Sequence, residues 1–230
     1  MRRALAACLL LVAGGCSDGG GDGRPPEPIV YVAVGASDSV GVGADDPASQ
    51  AWPEVFRKSL PATTTFTNVA VSGATTEDAL RDQVPKAVAL EPDLVTVWLN
   101  VNDLRRLVPP DAYGDRLTRL VRQLRRGGET TVLVANTPEL DSLPAFRAGP
   151  LAGVGSLVEA QVDRYTEEID DVVDAEGAVL VDLHGPSERA EADGTFASLV
   201  SADGFHPNAA GYARVAASFA DAFETTDLAG

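Results

Sequence analysis

Residues 29–37 read IVYVAVGAS, a run of β-branched and apolar residues that ends at Gly35 and leads into a serine. Such a run is typical of a strand that is covered on both faces, as the strands of a parallel sheet are. Four more short apolar runs follow along the chain, and they predict strands over residues 66–71, 93–99, 130–135 and 178–183. The sequence therefore predicts a sheet of about five parallel strands.

Segments with helical periodicity lie between these runs. Residues 117–124 and 158–173 each carry an apolar stripe, and residues 212–223 predict a last helix that packs on the sheet. This alternation of strands and helices predicts an open, doubly wound α/β fold. Residues 137–155 show no period and contain three prolines and three glycines, so we expect a long loop near the site there.

Composition and charge restrict the class of protein. The chain has 230 residues, of which 45% are hydrophobic and 23% charged. This balance excludes a disordered chain and suits one domain over residues 29–230. The formal net charge of −16 argues against binding to nucleic acid or to anionic lipid head groups. No apolar run reaches the roughly 20 residues that a membrane-spanning helix requires.

The N-terminal segment predicts export. A basic start and an apolar stretch over residues 4–13 are typical of a signal peptide. The letters VAGGC at residues 12–16 resemble a bacterial lipobox, although Ala13 stands where that pattern prefers leucine. The expected features are a lipoprotein signal peptide over residues 1–15, lipidation of Cys16 and a flexible Gly/Pro/Asp-rich tether over residues 16–28. The alternative is an ordinary signal peptide, which would release a secreted protein.

These features predict an extracytoplasmic lipoprotein of the bacterial cell envelope, attached to the membrane only through Cys16. Cys8 and Cys16 are the two cysteines of the chain. Cleavage before Cys16 would remove Cys8 and leave no thiol in the folded domain. We therefore expect neither disulfides nor cysteine chemistry there.

Three predicted strands are followed by small or polar residues, at the edge where parallel α/β sheets bind ligands. Ser37 comes two residues after Gly35 and can present its hydroxyl on a tight turn, or it can cap a helix. Gly73 follows the second strand and allows its N–H to approach a ligand oxygen, although this segment also suits a helix cap. Asn102 follows the third strand, where a turn explains it equally well.

A fourth segment, DGFHPN at residues 203–208, precedes the last predicted helix. Asp203 stands three residues before His206 and can turn back to hold its Nδ1–H, which leaves Nε2 as a base. The chain has only two histidines. His184, in a turn after the fifth strand, is therefore the one alternative base.

Together these segments resemble the SGNH (GDSL-type) hydrolase family over residues 29–223. The order of the motifs matches that family: a strand-end serine, then a glycine, then an asparagine, then Asp-x-x-His near the C-terminus. The resemblance implies a three-layer α/β/α fold with a flavodoxin-like, doubly wound sheet of about five parallel strands. It also implies a serine esterase that needs neither a cofactor nor a metal.

The resemblance assigns roles residue by residue. Ser37 matches the nucleophile, and Asp203 and His206 match the rest of a catalytic triad. The N–H groups of Ser37 and Gly73 and the side-chain amide of Asn102 match the oxyanion hole. The implied substrates are lipid, acylated-glycan or small-molecule esters, and we expect a monomer. An acyltransferase or thioesterase would use the same residues, and a non-catalytic lipoprotein that binds a ligand in the same cleft is the rival from another class.

Two residues depart from the family pattern. Ala36 stands where Gly-Asp-Ser has its aspartate, and Asn100 stands where a glycine usually precedes the asparagine. We expect Asp38 or Ser39 to compensate for the missing aspartate, and Asn100 to narrow the pocket or contact substrate. Ser39 is also the alternative nucleophile.

Other functional classes fit the residues less well. The sequence GASDS fails the Gly-x-Ser-x-Gly elbow of α/β-hydrolases, and the glycines around it fit neither a dinucleotide-binding nor a P-loop motif. A metal at Asp203 and His206 is disfavoured because two histidines without a His-x-x-x-His pair or a thiol make a poor ligand set. Five arginines within residues 116–126 predict the solvated face of one helix, with a polyanion-binding patch as the alternative.

Overall fold

The computed structural model of the protein describes residues 28–147 and 155–229. The expected signal peptide, the expected lipidation site Cys16 and residues 16–27 of the expected tether lie outside the described residues, as do residues 148–154 of the expected loop. The strands are β1 (Val30–Gly35), β2 (Thr65–Asn68), β3 (Leu94–Trp98), β4 (Thr131–Ala135) and β5 (Val179–Val181). All pair in parallel, in the order β2-β1-β3-β4-β5.

Helices connect and cover these strands. They are α1 (Ser37–Val40), α2 (Pro47–Gln50), α3 (Trp52–Phe56), α4 (Thr76–Asp82), α5 (Val84–Val88), α6 (Val101–Arg105), α7 (Pro110–Arg125), α8 (Pro144–Arg147), α9 (Gly155–Glu176), α10 (His184–Ala192) and α11 (Ala209–Phe223). Short 3₁₀ turns occur at Arg57–Ser59, Arg126–Gly128, Phe196–Leu199 and Asp227–Ala229. Within the two described ranges, no helix is both long and apolar enough to cross a membrane.

The sheet is packed on both faces because successive side chains of a strand alternate in direction. Val32 of β1 points to the face that α4, α5, α7 and α9 cover, and the neighbouring Tyr31 points to the face that α3 and α11 cover. Trp52 and Phe219 stack in the second of these cores, with ring centroids 4.0 Å apart. The three-layer α/β/α architecture and the flavodoxin-like strand order are therefore confirmed.

The three predicted helices are also found. The stripe over residues 117–124 lies on α7, the longer one over residues 158–173 lies on α9, and the last helix is α11. Tyr212 and Phe219 of α11 are fully buried against the sheet, as expected.

The second strand differs from the prediction of a buried strand over residues 66–71. β2 ends at Asn68, and three of its four residues are exposed. The cause is its position at the edge of the sheet, where only β1 pairs with it. Residues 69–71 leave the sheet and lead into the turn at Gly73, so that Val71 is half exposed.

The arginines of residues 116–126 lie on α7 and directly after it. Several of them pair with acidic side chains: Arg116 with Glu77, Arg122 with Glu176 and Arg126 with Glu129. This favours the interpretation as a solvated helix face over a polyanion-binding patch.

The strand order reverses next to β1, since β2 lies on one side of it and β3 on the other. In doubly wound sheets the crevice beyond the carboxyl ends of the strands at this point holds the ligand. Ser37 follows β1 and Asn102 follows β3. Both side chains are therefore carried to the edge of the sheet where a ligand is expected.

Candidate active site

Ser37, His206 and Asp203 form a continuous hydrogen-bonded chain. Nε2 of His206 lies 3.0 Å from Oγ of Ser37, and Nδ1 of the same ring lies 2.6 Å from Oδ2 of Asp203. With the Nδ1 proton donated to the carboxylate, Nε2 is left to accept the proton of the Ser37 hydroxyl. This is the arrangement in which a general base activates a serine and a carboxylate orients the base.

The loop before α11 holds Asp203 in place. Oδ1 of Asp203 accepts hydrogen bonds from the N–H groups of Phe205 and His206, at 2.8 and 2.9 Å, and from the hydroxyl of Ser201 at 2.8 Å. Partial burial by itself would raise the pKa of Asp203, but the His206 imidazole and these donors hold it well below its usual range. Asp203 therefore stays ionised at neutral pH, as an orienting carboxylate must.

Two side-chain amides hold the turn that presents Ser37. Gln83 is almost fully buried, and its amide donates to the carbonyl of Gly35 and accepts from the N–H of Gly35, both at 3.0 Å. Asn68 donates to the carbonyl of Ser39 at 2.7 Å. Gly35 itself has to be a glycine, because a Cβ there would overlap the side chain of Ser39. The sequence did not indicate either amide, since both lie far along the chain from the turn.

Asp38 and Ser39 do not replace the aspartate that is missing at Ala36, contrary to expectation. Ser39 is fully buried, and its hydroxyl has no hydrogen-bond partner among the described residues. The Asp38 carboxyl makes no hydrogen bond to another described residue, and burial raises its pKa although the nearby His206 opposes the rise. The amides of Gln83 and Asn68 stabilise the turn instead. Ser39 also lacks the hydrogen bond to His206 that Ser37 makes, which disfavours it as the alternative nucleophile.

Three hydrogen-bond donors from the ends of β1, β2 and β3 belong to the residues expected to form the oxyanion hole. The N–H of Ser37 stands at the start of α1, where no intrahelical partner exists. Gly73 has φ +81°, which favours glycine, and its N–H donates to no other described residue. Asn102 gives one amide hydrogen to the carbonyl of Ala74 at 3.0 Å, so the second remains available to a ligand.

A buried carboxylate ties the turn at Gly73 to the segment of Asn102. Asp103 is fully buried and accepts hydrogen bonds from the N–H and the hydroxyl of Thr76, at 2.9 and 2.7 Å. Burial raises the pKa of Asp103, while the bonds from Thr76 and the charge of Arg116 act in the opposite direction. These hydrogen bonds hold the segments of Gly73 and Asn102 at a fixed spacing. The sequence alone did not indicate this role of Asp103.

Asn100 neither narrows the pocket nor faces a substrate, contrary to expectation. Its side chain is buried and donates to the backbone carbonyl of Asn136 at 3.2 Å. The side chain of Asn136 in turn accepts from the N–H groups of Leu183 and His184. Asn100 is therefore part of the packing that joins the ends of β3, β4 and β5.

His184 lies apart from Ser37, at the start of α10. Its Nδ1 donates to the carbonyl of Thr137 at 3.1 Å, and its Nε2 faces the carboxylates of Glu139 and Glu188. Burial and the neighbouring Asp141 carboxyl raise the pKa of Glu139 to about 8. Since His184 makes no hydrogen bond to Ser37, the geometry does not support it as the base.

Two cavities lie beside the site: one is lined by Asp203 and His206 themselves, and the other by their sequence neighbours and that of Ser37. The larger, which we call the apolar groove, has a volume of about 840 Å³ and begins at Asp203 and His206. Its apolar walls include Leu104, Leu107, Val108, Phe146, Leu157 and Val158. The smaller cavity, of about 110 Å³, contains Asp38 and is lined mainly by apolar side chains. Residues 138–146 contribute to both cavities, so the described part of the expected loop does lie near the site.

The chain is similar to known proteins in both sequence and structure. The model of the "GDSL-like Lipase/Acylhydrolase family" matches residues 33–214. TesA has a similar structure, with a TM-score of 0.66 and 24% identity over 85% of this chain and 98% of that chain. The psychrotrophic esterase EstA from Pseudoalteromonas sp. has a TM-score of 0.64 and 18% identity, over 85% and 97% of the two chains.

An acetyl xylan esterase from Geobacillus stearothermophilus, Axe2, has a TM-score of 0.64 and 15% identity, over 85% of this chain and 93% of that chain. At these identities the structural neighbours report a shared fold. No curated protein matches the sequence.

Proposed function

Because the chain belongs to the GDSL-like lipase/acylhydrolase family, a family of serine hydrolases, we propose that it hydrolyses carboxylic esters through Ser37, His206 and Asp203. The observation that carries the proposal is the hydrogen-bonded chain, with 3.0 Å from Ser37 to His206 and 2.6 Å from His206 to Asp203. The same side chains could serve only ligand binding, but a base at hydrogen-bond distance from a strand-end serine favours catalysis.

In the proposed first half-reaction, Oγ of Ser37 attacks the acyl carbonyl carbon as Nε2 of His206 takes the hydroxyl proton. Asp203 keeps the imidazole oriented and stabilises its charged form. The carbonyl oxygen becomes an oxyanion, which the N–H groups of Ser37 and Gly73 and the amide of Asn102 would bind. Loss of one such donor from a preorganised site costs roughly 2.7–4 kcal/mol in the barrier.

The intermediate then collapses to an acyl-serine. The C–O bond to the alcohol breaks, and the alcohol leaves with the proton that His206 returns to it. A water molecule repeats the sequence: it gives a proton to His206, attacks the acyl carbon and releases the carboxylic acid and the free serine. The residues named need no cofactor for these steps.

The apolar groove supports an ester with an extended apolar part. It starts beside His206, its walls are mostly aliphatic and aromatic, and its volume of about 840 Å³ is within the range of small-molecule sites. Leu107 and Leu157 at this groove are 85% and 62% exposed. The backbone of Leu107 has φ +56°, which is uncommon for leucine and is often found at functional positions.

A panel of esters tests the proposal. The purified protein is assayed with nitrophenyl esters from acetyl to dodecanoyl, with a thioester and with an acetylated xylo-oligosaccharide, each beside Ser37→Ala. We expect Ser37-dependent hydrolysis, with kcat/KM rising from acetyl to medium-chain acyl groups as the chain enters the groove. A protein with no Ser37-dependent hydrolysis of any of these compounds would contradict the proposal.

Leu107→Ser tests the groove itself. The change removes apolar contact worth about 1–2 kcal/mol, so KM for an octanoyl ester should rise by about tenfold. KM and kcat for an acetyl ester, whose acyl group would leave most of the groove unfilled, should stay unchanged. Steady-state kinetics with the two esters give the comparison.

Leu90→Ser is the matched control, because Leu90 is 41% exposed and lies between α5 and β3, away from the groove. It should leave both esters unaffected. Equal effects of the two leucine changes, or an equal loss with acetyl and octanoyl esters in Leu107→Ser, would show that the groove does not hold the acyl chain.

We further propose that the protein is exported and anchored through lipid on Cys16, which rests on the sequence of residues 1–16 alone. Expressed in a bacterial host, the wild type should lose residues 1–15 and fractionate with membranes. Cys16→Ser should be left unlipidated and leave the membrane fraction. Mass spectrometry of the mature N-terminus, with and without the lipoprotein signal peptidase inhibitor globomycin, decides this. An unmodified Cys16, or processing that globomycin does not affect, would contradict the proposed lipid anchor.

A further inference from the structure

His184 and two glutamates, from two segments of the chain, converge beside the smaller cavity. His184 is the first residue of α10, Glu188 follows one turn later on the same helix, and Glu139 lies in the segment after β4. The catalytic proposal above uses none of these side chains. Glu139 and His184 are largely buried, with side-chain exposures of 17% and 26%, whereas Glu188 is 60% exposed.

The ring of His184 is oriented so that one nitrogen faces the carboxylates. Its Nδ1 donates to the carbonyl of Thr137 at 3.1 Å, which fixes the tautomer and directs the Nε2 lone pair toward Glu139 and Glu188. Nε2 lies 4.0 Å from Oε2 of Glu139 and 3.8 Å from Oε1 of Glu188. Both distances are too long for hydrogen bonds, so the three groups surround a shared space without bonding to one another.

From this arrangement we propose that Glu139, His184 and Glu188 bind a divalent transition-metal ion of the zinc class. One ligand atom of each residue lies within 4.8 Å of the others. Zinc bound at about 2.1 Å to two such ligands would hold them about 3.4 Å apart. From 4.0 and 3.8 Å, the carboxylates of Glu139 and Glu188 each have to approach Nε2 of His184 by about half an ångström. An imidazole with two carboxylates suits zinc or manganese, whereas calcium and magnesium prefer oxygen ligands alone.

A second contact prepares the site by joining the two segments that carry it. The hydroxyl of Ser187 accepts a hydrogen bond from the N–H of Glu139 at 2.8 Å and donates to the carbonyl of His184 at 2.7 Å. Ligand segments that are already held together favour a bound cation.

The ion would tie the segment after β4 to the start of α10. Pro138, Glu139 and Leu140 of that segment line the smaller cavity. A bound ion would therefore stiffen a wall of that cavity without contacting Ser37 or His206. The metal site is independent of the proposed ester hydrolysis, and either can be wrong while the other holds.

Calorimetric titration of the metal-free full-length protein with zinc or manganese chloride tests the proposal. We expect one equivalent of metal to bind, and calcium and magnesium chloride to bind far more weakly. Glu139→Gln, His184→Gln and Glu188→Gln should each lower the affinity at least about tenfold. Metal at about 100-fold over Kd should raise the Tm of the wild type by about 5–10 °C and leave that of His184→Gln unchanged.

Two variants serve as controls. His206→Gln removes the other histidine of the chain, and Glu224→Gln removes an exposed glutamate after α11. Both should bind zinc as the wild type does. A wild type that binds no zinc or manganese, binding that survives His184→Gln, or binding that is lost in His206→Gln would each overturn the proposal. If Glu139→Gln or His184→Gln fails to fold, Glu188→Gln still tests the site, because Glu188 is exposed and its replacement should not disturb the fold.

Discussion

Ser37→Ala is expected to lower kcat/KM for activated esters by about 10⁶-fold, the effect of removing the nucleophile from a serine hydrolase. The physical reason is that no other hydroxyl lies at hydrogen-bond distance from Nε2 of His206 among the described residues. The fold should be unaffected, because among the described residues the Ser37 side chain makes a hydrogen bond only to His206. Ester hydrolysis and thermal unfolding of the purified variant, each compared with the wild type, provide the two readouts.

Ser39→Ala is the matched control, two residues away on the same turn. The Ser39 hydroxyl is buried without a hydrogen-bond partner among the described residues, so its removal should leave activity intact. The free energy of unfolding should stay the same or rise by about 1 kcal/mol, because an unpaired buried hydroxyl is itself unfavourable. Full activity in Ser37→Ala, or loss of activity in Ser39→Ala alone, would assign the nucleophile to a different residue.

The second large effect is expected for His206→Ala, which should be as severe as Ser37→Ala because a serine without its base is a weak nucleophile. His184→Ala is the natural control, since it removes the other histidine of the chain. The Nδ1 of His184 bonds to a backbone carbonyl and its Nε2 faces two glutamates, so most of the activity should remain. Measuring kcat and KM for both variants with one ester separates the two roles.

The opposite ranking of the two histidine variants would contradict the proposed mechanism. A similar, modest loss in both variants would indicate that neither histidine acts as the base. Circular dichroism of each variant excludes unfolding as the cause, which matters more for His184 because it packs against the segment after β4.

The fold could be predicted from the sequence where burial produces a strong pattern. β1, β3 and β4 are nearly continuous apolar runs because they are covered on both faces. β2 was predicted too long, because its edge position leaves Thr65, Thr67 and Asn68 exposed and its apolar neighbours belong to a turn. The pattern thus marks buried strands well and edge strands poorly.

The hydrogen-bonded chain of Ser37, His206 and Asp203 could be predicted because its residues stand in local motifs of fixed order, one at the end of a strand and one before the last helix. The supporting contacts could not. Gln83 bonds to the backbone of Gly35, and Asp103 bonds to Thr76, across long stretches of chain. In one sequence, neither a lone glutamine between two helices nor a lone aspartate within a helix indicates which backbone group its side chain will bond to.

Asn100 is a residue to which the sequence assigned a site role that its side chain does not have. Its place directly after β3, next to the segment of Asn102, favoured a role in the pocket, yet its side chain turns inward and bonds to the backbone of Asn136. Position in the sequence brings a residue to the correct edge of the sheet. Whether its side chain points to the ligand or into the packing depends on the neighbouring strand, which the sequence does not identify.

Labelling with a fluorophosphonate probe, followed by tandem mass spectrometry of the labelled peptide, tests the catalytic assignment most directly. The probe forms a covalent bond only with a serine that a base has activated. We predict a single adduct on Ser37 in the wild type and in Ser39→Ala, and none in Ser37→Ala or His206→Ala. An adduct on any other serine, labelling that persists in Ser37→Ala, or a wild type that the probe does not label would contradict the assignment of Ser37 as an activated nucleophile.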